Sequence, residues 1–160
     1  METIAMMALV KGPGEGQSVA LRGATVTRKA DSAETGGAWT LLEYLAPPHF
    51  EGPAPHWHAE TTEAFYVLDG TLSFAIGEQT ITAGPGAFVH VPVGVVHTFF
   101  NPTAEPVRFL TFCTPGGFEQ YFDDLAALAA AAPSWPPQDM APLAALWARY
   151  DIRHDPPPAR

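Results

Sequence analysis

The stretch Pro55-His56-Trp57-His58-Ala59-Glu60-Thr61-Thr62-Glu63 decides how the chain is read. His56 and His58 are two positions apart, and in an extended strand such residues point to the same face. Two neighbouring imidazoles on one face form a natural pair of metal ligands. Glu63 offers a carboxylate as a third, but its strand parity is opposite to that of His58. For the three to meet, the chain must turn or bulge between Ala59 and Thr62, a short and polar stretch. A further ligand and a rigid frame must come from elsewhere in the chain.

Upstream, the loop His49 to Pro55 carries Pro53 and Pro55, which hold it extended and remove backbone donors. It suits a barrel rim better than a central strand. Downstream, Glu63 to Leu68 reads as a strand with Glu63, Phe65 and Val67 on one face, closed by the hairpin signal Asp69-Gly70. Thr71 to Ile76 returns, with Leu72, Phe74 and Ile76 alternating against polar or small residues. Gly77-Glu78 turns into Gln79 to Ala83, and Gly84-Pro85-Gly86 turns again. Ala87 to Val91 and Val95 to Phe100 follow, the second placing His97, Phe99 and Asn101 on one face. Val107 to Thr114 is the last strand.

Ahead of the His pair, Ala38 to Ala46 is a strand between Thr35-Gly36-Gly37 and Pro47-Pro48. Val19 to Lys29 is β-prone but interrupted at Gly23. Residues 1–16 read as a flexible lead-in. Seven or so short strands, each closed by Gly or Pro, predict an all-β sandwich or small barrel. After Pro115-Gly116-Gly117 the period changes. Phe118 to Ala132, with Phe118, Phe122, Leu125 and Leu128 at helical spacing, and Met140 to Tyr150, with Leu143, Leu146, Trp147 and Tyr150 on one side, predict two helices. Asp139 is placed to cap the second. Some 40 residues, roughly, are too few for an independent core. The expected organisation is therefore one domain: a barrel over residues 1–116, and a helical extension with a loose tail over 117–160. The helices are expected to pack over the barrel or against a partner subunit.

Bulk properties narrow the function classes. The 160 residues are 47% apolar, an ordinary globular composition. A formal charge of −9 with no Lys/Arg cluster argues against a nucleic-acid partner. No apolar run approaches the length of a membrane span. The first residues lack a basic region followed by a long apolar one, so no signal peptide is expected. The single cysteine, Cys113, excludes an internal disulfide framework and a cysteine-based zinc site. A cytoplasmic protein is the expectation.

Two motifs carry a family likeness. The chain resembles the cupins, small metal-binding β-barrels of the jelly-roll, or double-stranded β-helix, type. Their first motif is His-x-His, three or four residues, Glu, six residues, Gly, matched here by His56, His58, Glu63 and Gly70. The Gly that usually stands six residues before the first His is replaced by Phe50, with Gly52 nearby. Their second motif is Gly, five residues, Pro-x-Gly, two residues, His, three residues, Asn. It is matched in full by Gly86, Pro92, Gly94, His97 and Asn101. The likeness covers roughly residues 38–113. The step Pro115-Gly116-Gly117-Phe118-Glu119 into a helix also resembles a compact bacterial subgroup described as similar to quercetin 2,3-dioxygenase.

The resemblance implies His56, His58, Glu63 and His97 as ligands to one divalent transition metal per chain. Nitrogen and oxygen donors without thiolate fit Fe, Mn, Ni, Co, Cu or Zn. It implies a metal-dependent dioxygenase-like reaction on a small aromatic or enolic substrate, with O2 as co-substrate. By likeness to quercetinases, Glu63 partly leaves the metal and acts as general base, a role that calls for a raised carboxylate pKa. The same metal could instead serve an isomerase or epimerase, or the chain could be a non-enzymatic small-molecule-binding module. A homodimer is implied as well. Phe65, Phe74, Phe99 and Phe112 are at strand-periodic spacing; core packing is their default, with some expected to line the substrate pocket. His49, His90 and Glu60 are expected to be exposed, His154 inert in the tail, Trp57 packed away from its His neighbours, and Cys113 buried.

Overall fold

The computed structural model describes residues 8–158. Residues 1–7, the start of the expected lead-in, and 159–160 at the end of the expected tail lie outside it. Turn chemistry sets the element boundaries. The described residues form β1 (Gln17–Leu21), β2 (Ala24–Ala30), β3 (Thr40–Ala46), β4 (Thr62–Asp69), β5 (Leu72–Ile76), β6 (Gln79–Ala83), β7 (Phe88–Val91), β8 (His97–Phe100) and β9 (Val107–Thr114). The helices α1 (Glu119–Ala131) and α2 (Ala141–Arg149) follow. The run read as one interrupted β-prone segment is a hairpin. Arg22 (φ 50°) and Gly23 (φ 86°) both turn left-handed between β1 and β2, the twist a two-residue hairpin needs.

The strands form a six-stranded sheet, β1-β2-β3-β9-β4-β7, and a three-stranded sheet, β6-β5-β8. This is the jelly-roll arrangement, with the sheets facing each other rather than joined into one closed ladder. In the centre of the large sheet, β3 and β9 pair antiparallel, Leu42 opposite Thr111 and Tyr44 opposite Phe109. Their alternation buries Thr40, Leu42, Tyr44 and Ala46 on one strand and Val107, Phe109, Thr111 and Cys113 on the other. Phe65 from β4 meets Phe74 from β5 across the core at 5.1 Å between ring centroids.

Polar residues fix the connections. Asn101, the last residue of the second motif, is buried. Its amide donates to the Pro47 and Glu105 carbonyls at 2.9 and 2.7 Å, and its Oδ1 accepts from the Thr103 amide at 3.0 Å. Gly52, in the rim loop, has φ +73°, and a Cβ there would lie 1.7 Å from the Phe99 carbonyl oxygen. Only glycine fits that approach. At the start of α1, the buried carboxylate of Glu119 accepts from the Ser32 amide, the Thr40 hydroxyl and the Gly117 amide, tying the helix to β3. Burial opposes its charge, but these donors hold its pKa down at about 2.

The C-terminal segment is not a loose tail. Trp57 and Arg153 exchange backbone hydrogen bonds of 2.9 and 3.0 Å, and the Trp57 indole donates to the Asp155 carbonyl at 2.6 Å. Met140, not Asp139, is the N-cap residue of α2; the Asp139 carboxylate, one residue earlier, accepts from the Ala141 amide at 3.0 Å. Both helices pack within the chain: Phe122 joins the core, and Leu143 and Leu146 are buried. Among the described residues, no helix is long and apolar enough to cross a membrane.

Candidate metal centre

The bend that opposite parity requires is present. The chain bends at Ala59 and Glu60 and enters β4 at Thr62. A residue distant in sequence holds it. The Asp151 carboxylate accepts three consecutive backbone amides, Ala59 at 2.9 Å, Glu60 at 2.7 Å and Thr61 at 2.9 Å. Burial pushes that carboxyl up, and the three amides outweigh it and hold it below its ordinary value. Asp151 itself is left-handed at φ 58°, a conformation Asp tolerates better than most residues. No local pattern around Asp151 announces this role, so sequence reasoning missed it.

With the bend in place, His56, His58, Glu63 and His97 converge, all four buried, with one potential ligand atom from each within 4.8 Å of the others. His56 and His97 meet across a two-residue antiparallel bridge, with backbone hydrogen bonds of 3.0 and 2.8 Å. Glu63 Oε2 lies 3.1 Å from His58 Nε2 and 2.7 Å from His97 Nε2. Two donors each about 2.1 Å from a common ion stand about 3 Å apart, so the spacing suits coordination.

The donor chemistry fits as well. Each ring uses Nδ1–H on a backbone carbonyl: His56 on Ala54 (2.9 Å), His58 on Asp151 (2.7 Å) and His97 on Val95 (2.9 Å). That leaves each Nε2 free to offer a lone pair to an ion, with those of His58 and His97 within hydrogen-bonding distance of Glu63. This three-histidine, one-glutamate group fits a metal site.

The electrostatics follow from burial and pairing. Burial, then the field of His97, lowers His56 to about 4, so its ring is neutral at physiological pH. Burial also opposes charge on His58, but the Glu63 hydrogen bond and charge outweigh it and raise its pKa. Burial alone would raise Glu63; the hydrogen bonds from His58 and His97 hold it well below the usual carboxylate range. With no ion on the imidazoles, His58 and His97 supply Glu63 with donors that a purely apolar cavity lacks. Cys113, buried as expected, has its sulfur 3.8 Å from Glu63 Oε1, and burial pushes its thiol well up.

A cavity of about 540 Å³ opens onto His56 and Glu63. Its walls carry several aromatic rings, among them Tyr44, Phe50, Phe99, Phe118 and Trp147, beside aliphatic residues such as Leu21, Val26 and Leu143. Of the four phenylalanines considered for the pocket, only Phe99 lines it. Phe65 and Phe74 fill the core between the sheets. Phe112 is on the opposite face of β9 from Phe109 and Cys113, exposed and stacked on Trp39 at 5.6 Å. Strand parity put it outside; its spacing alone did not reveal which parity faced inward. Phe50, which replaces the usual motif glycine, lies in the cavity wall. His154 also lines the cavity, against the expectation of an inert tail residue. His49, His90 and Glu60 are exposed, and Trp57 packs under Arg153, 5.3 Å from guanidinium to ring.

A jelly roll in which three imidazoles and a carboxylate converge, with one imidazole and the carboxylate facing a cavity, defines a class of small metal-site proteins. Residues 42–113 match the family model Cupin_2, the cupin domain. The chain is 34% identical over 80 residues to quercetin 2,3-dioxygenase of Bacillus subtilis (strain 168), an alignment covering 47% of this chain and 23% of that protein. This chain thus spans less than a quarter of that relative's length. Among solved structures, the polyketide cyclase RemF from Streptomyces resistomycificus superposes with TM-score 0.59 and 23% identity, over 67% of this chain and 79% of that one. KdgF from Halomonas sp. does so with TM-score 0.57 and 14% identity, over 68% and 95%. These two share the fold. The cupin-domain match over residues 42–113, the partial likeness to a quercetin 2,3-dioxygenase and the shared fold support a cupin superfamily member.

Proposed function

We propose that this protein is a metal-dependent, dioxygenase-like enzyme acting on a small aromatic or enolic substrate. The observation that carries the reading is that the ring-lined cavity reaches His56 and Glu63. The donor group faces a space a substrate can enter, where a purely structural metal site would be closed. The likeness to a quercetin 2,3-dioxygenase over 80 residues supports the choice of reaction.

His56, His58, Glu63 and His97 would hold one divalent transition metal: Fe, Mn, Ni, Co, Cu or Zn. When bound, the ion supplies Lewis acidity and, if redox-active, the means to engage O2. The chain's own residues do the rest. The aromatic walls exclude water and orient a planar substrate. Glu63 is the carboxylate placed to take a proton from a substrate hydroxyl. Its strong hold on two imidazoles makes it a weak base, so this role requires those Nε2 atoms to be engaged elsewhere, as metal ligation would engage them.

The test is oxygen uptake by protein loaded with each metal in turn, against a panel of flavonols and enediols, with anaerobic controls. A fully metallated preparation that consumes no O2 with any of them sinks the oxygenase reading. Turnover retained with redox-silent zinc would instead mark an isomerase or epimerase. Thermal stabilisation by a ligand without turnover would mark a binding module.

A further inference from the structure

We infer that the C-terminal segment selects the substrate of this site, and that His154 accepts a hydrogen bond from a substrate hydroxyl. The inference rests on the cavity being the substrate site proposed above. The wall facing the barrel's contribution to the cavity is built by Trp135, Met140, Leu143, Trp147, Ile152 and His154. All six lie outside the family-matched residues 42–113. Trp135 and Met140 are exposed despite their size, 37% and 42%, so they present apolar surface beside the cavity with no protein cover.

The segment is anchored where it matters. The Asp151 carboxylate and the Trp57–Arg153 bridge fix its position relative to the first motif on either side of Ile152. His154 is then held from two directions. Its Nδ1 is 3.0 Å from the Pro55 carbonyl oxygen, and its ring lies against Trp147 at 4.2 Å between centroids. Its ring centroid is 6.2 Å from that of the metal-site residue His56. A carbonyl only accepts, so Nδ1 carries the hydrogen of this contact, and Nε2 is the ring's other polar atom, on an exposed residue at the cavity wall. That Nε2 has no partner among the described residues. A hydroxyl is the group it would take.

The charge pattern narrows the class further. Arg22 lines the cavity, but its guanidinium is engaged by the Gly52 carbonyl at 3.2 Å and Glu51 at 3.6 Å. The charged side chains of the outer wall, Arg22 and Glu51, pair with each other, so the wall suits an uncharged molecule over a phosphate or polycarboxylate. The substrate class is therefore a planar, uncharged, hydroxylated aromatic. One oxygen would be held at the metal group and a second hydroxyl at His154, with the ring against Trp147.

The experiment compares quercetin with 3-hydroxyflavone, which keeps the chelating oxygens but lacks the remote hydroxyls. Anaerobic binding to metal-loaded protein is measured by titration calorimetry for wild type and His154→Phe. Phenylalanine keeps a ring against Trp147 and deletes the acceptor together with the Nδ1 contact to Pro55, whose loss would affect both flavonols alike. Quercetin is expected to bind wild type more tightly than 3-hydroxyflavone. His154→Phe should weaken quercetin by roughly 3- to 10-fold, the worth of one hydrogen bond at a partly open site, and leave 3-hydroxyflavone unchanged. Metal content and the cobalt-substituted absorption spectrum should be the same in both proteins. Equal effects on the two flavonols, or none on either, would overturn the inference. So would failure of metal-loaded wild type to bind either one. A quercetin preference that depends on His154, without any oxygen uptake, would support it and remove the dioxygenase reading alone.

Discussion

Replacing Asp151 tests whether a distant carboxylate assembles the metal centre. Asp151→Gly removes the side chain while keeping the left-handed backbone at φ 58° free of strain. Three amide hydrogen bonds to a charged acceptor are lost. Each such bond is worth about 1.5–3 kcal/mol when buried. The Glu60 amide belongs to an exposed residue, so water replaces its partner. Thr61 is buried and Ala59 half-buried, while the Asp151 side chain is 18% exposed. Discounted for that exposure, the two remaining bonds suggest a loss of about 2–4 kcal/mol. For a chain of this size that lowers Tm by about 4–16 °C. The Asp151 carbonyl still accepts from His58 in the variant, but the bend that brings Glu63 to His58 is no longer pinned. Metal affinity, measured by competition with a chelator, should fall about 10- to 100-fold, the usual cost of losing a residue that orients ligands. Calorimetry on metal-free protein measures the stability part separately. Glu60→Ala, which keeps the backbone amide, is the control and should change neither quantity. If Asp151→Gly binds metal within twofold of wild type, the bend does not depend on Asp151 and the reasoning fails.

Two further predictions concern the frame. Glu119 has a folded pKa of about 2, below its ordinary value, so its contribution is fully present above pH 4.5 and is lost as pH falls toward 2. Glu119→Gln should therefore be less stable than wild type by on the order of 2 kcal/mol at pH 7, with the gap narrowing in acid. A constant gap across pH 2–7 in denaturant titrations would contradict the assignment. Gly52→Ala should lower Tm by about 6–12 °C, on the order of 3 kcal/mol, because its Cβ would overlap the Phe99 carbonyl and its φ is positive. A wild-type melting curve would show that the rim loop does not need that approach.

Much of the frame was legible because its signals are local. The alternation of Leu72 and Phe74, the Asp69-Gly70 turn and the helical period after Gly117 depend on neighbours in sequence, and the elements form where those signals place them. The His56–His58 pair, Glu63 and His97 were legible as a constellation through motif spacing, and parity alone required the bend at Ala59–Glu60. What the tertiary structure decided is which surfaces meet after the chain returns. Phe109 and Phe112 carry the same residue type on one strand, and only the pairing of β9 between β3 and β4 determines which faces the core. Asp151 and His154 look like tail residues until α2 carries them back against the first motif, where one gathers three amides and the other enters the cavity wall. Glu63 shows the same division. Its identity as a buried carboxylate follows from the motif. Its low pKa follows from two imidazoles that only the fold brings within hydrogen-bonding distance. Apart from the His58–Glu63 pair, these contacts join residues tens of positions apart, and no periodicity along the chain encodes them.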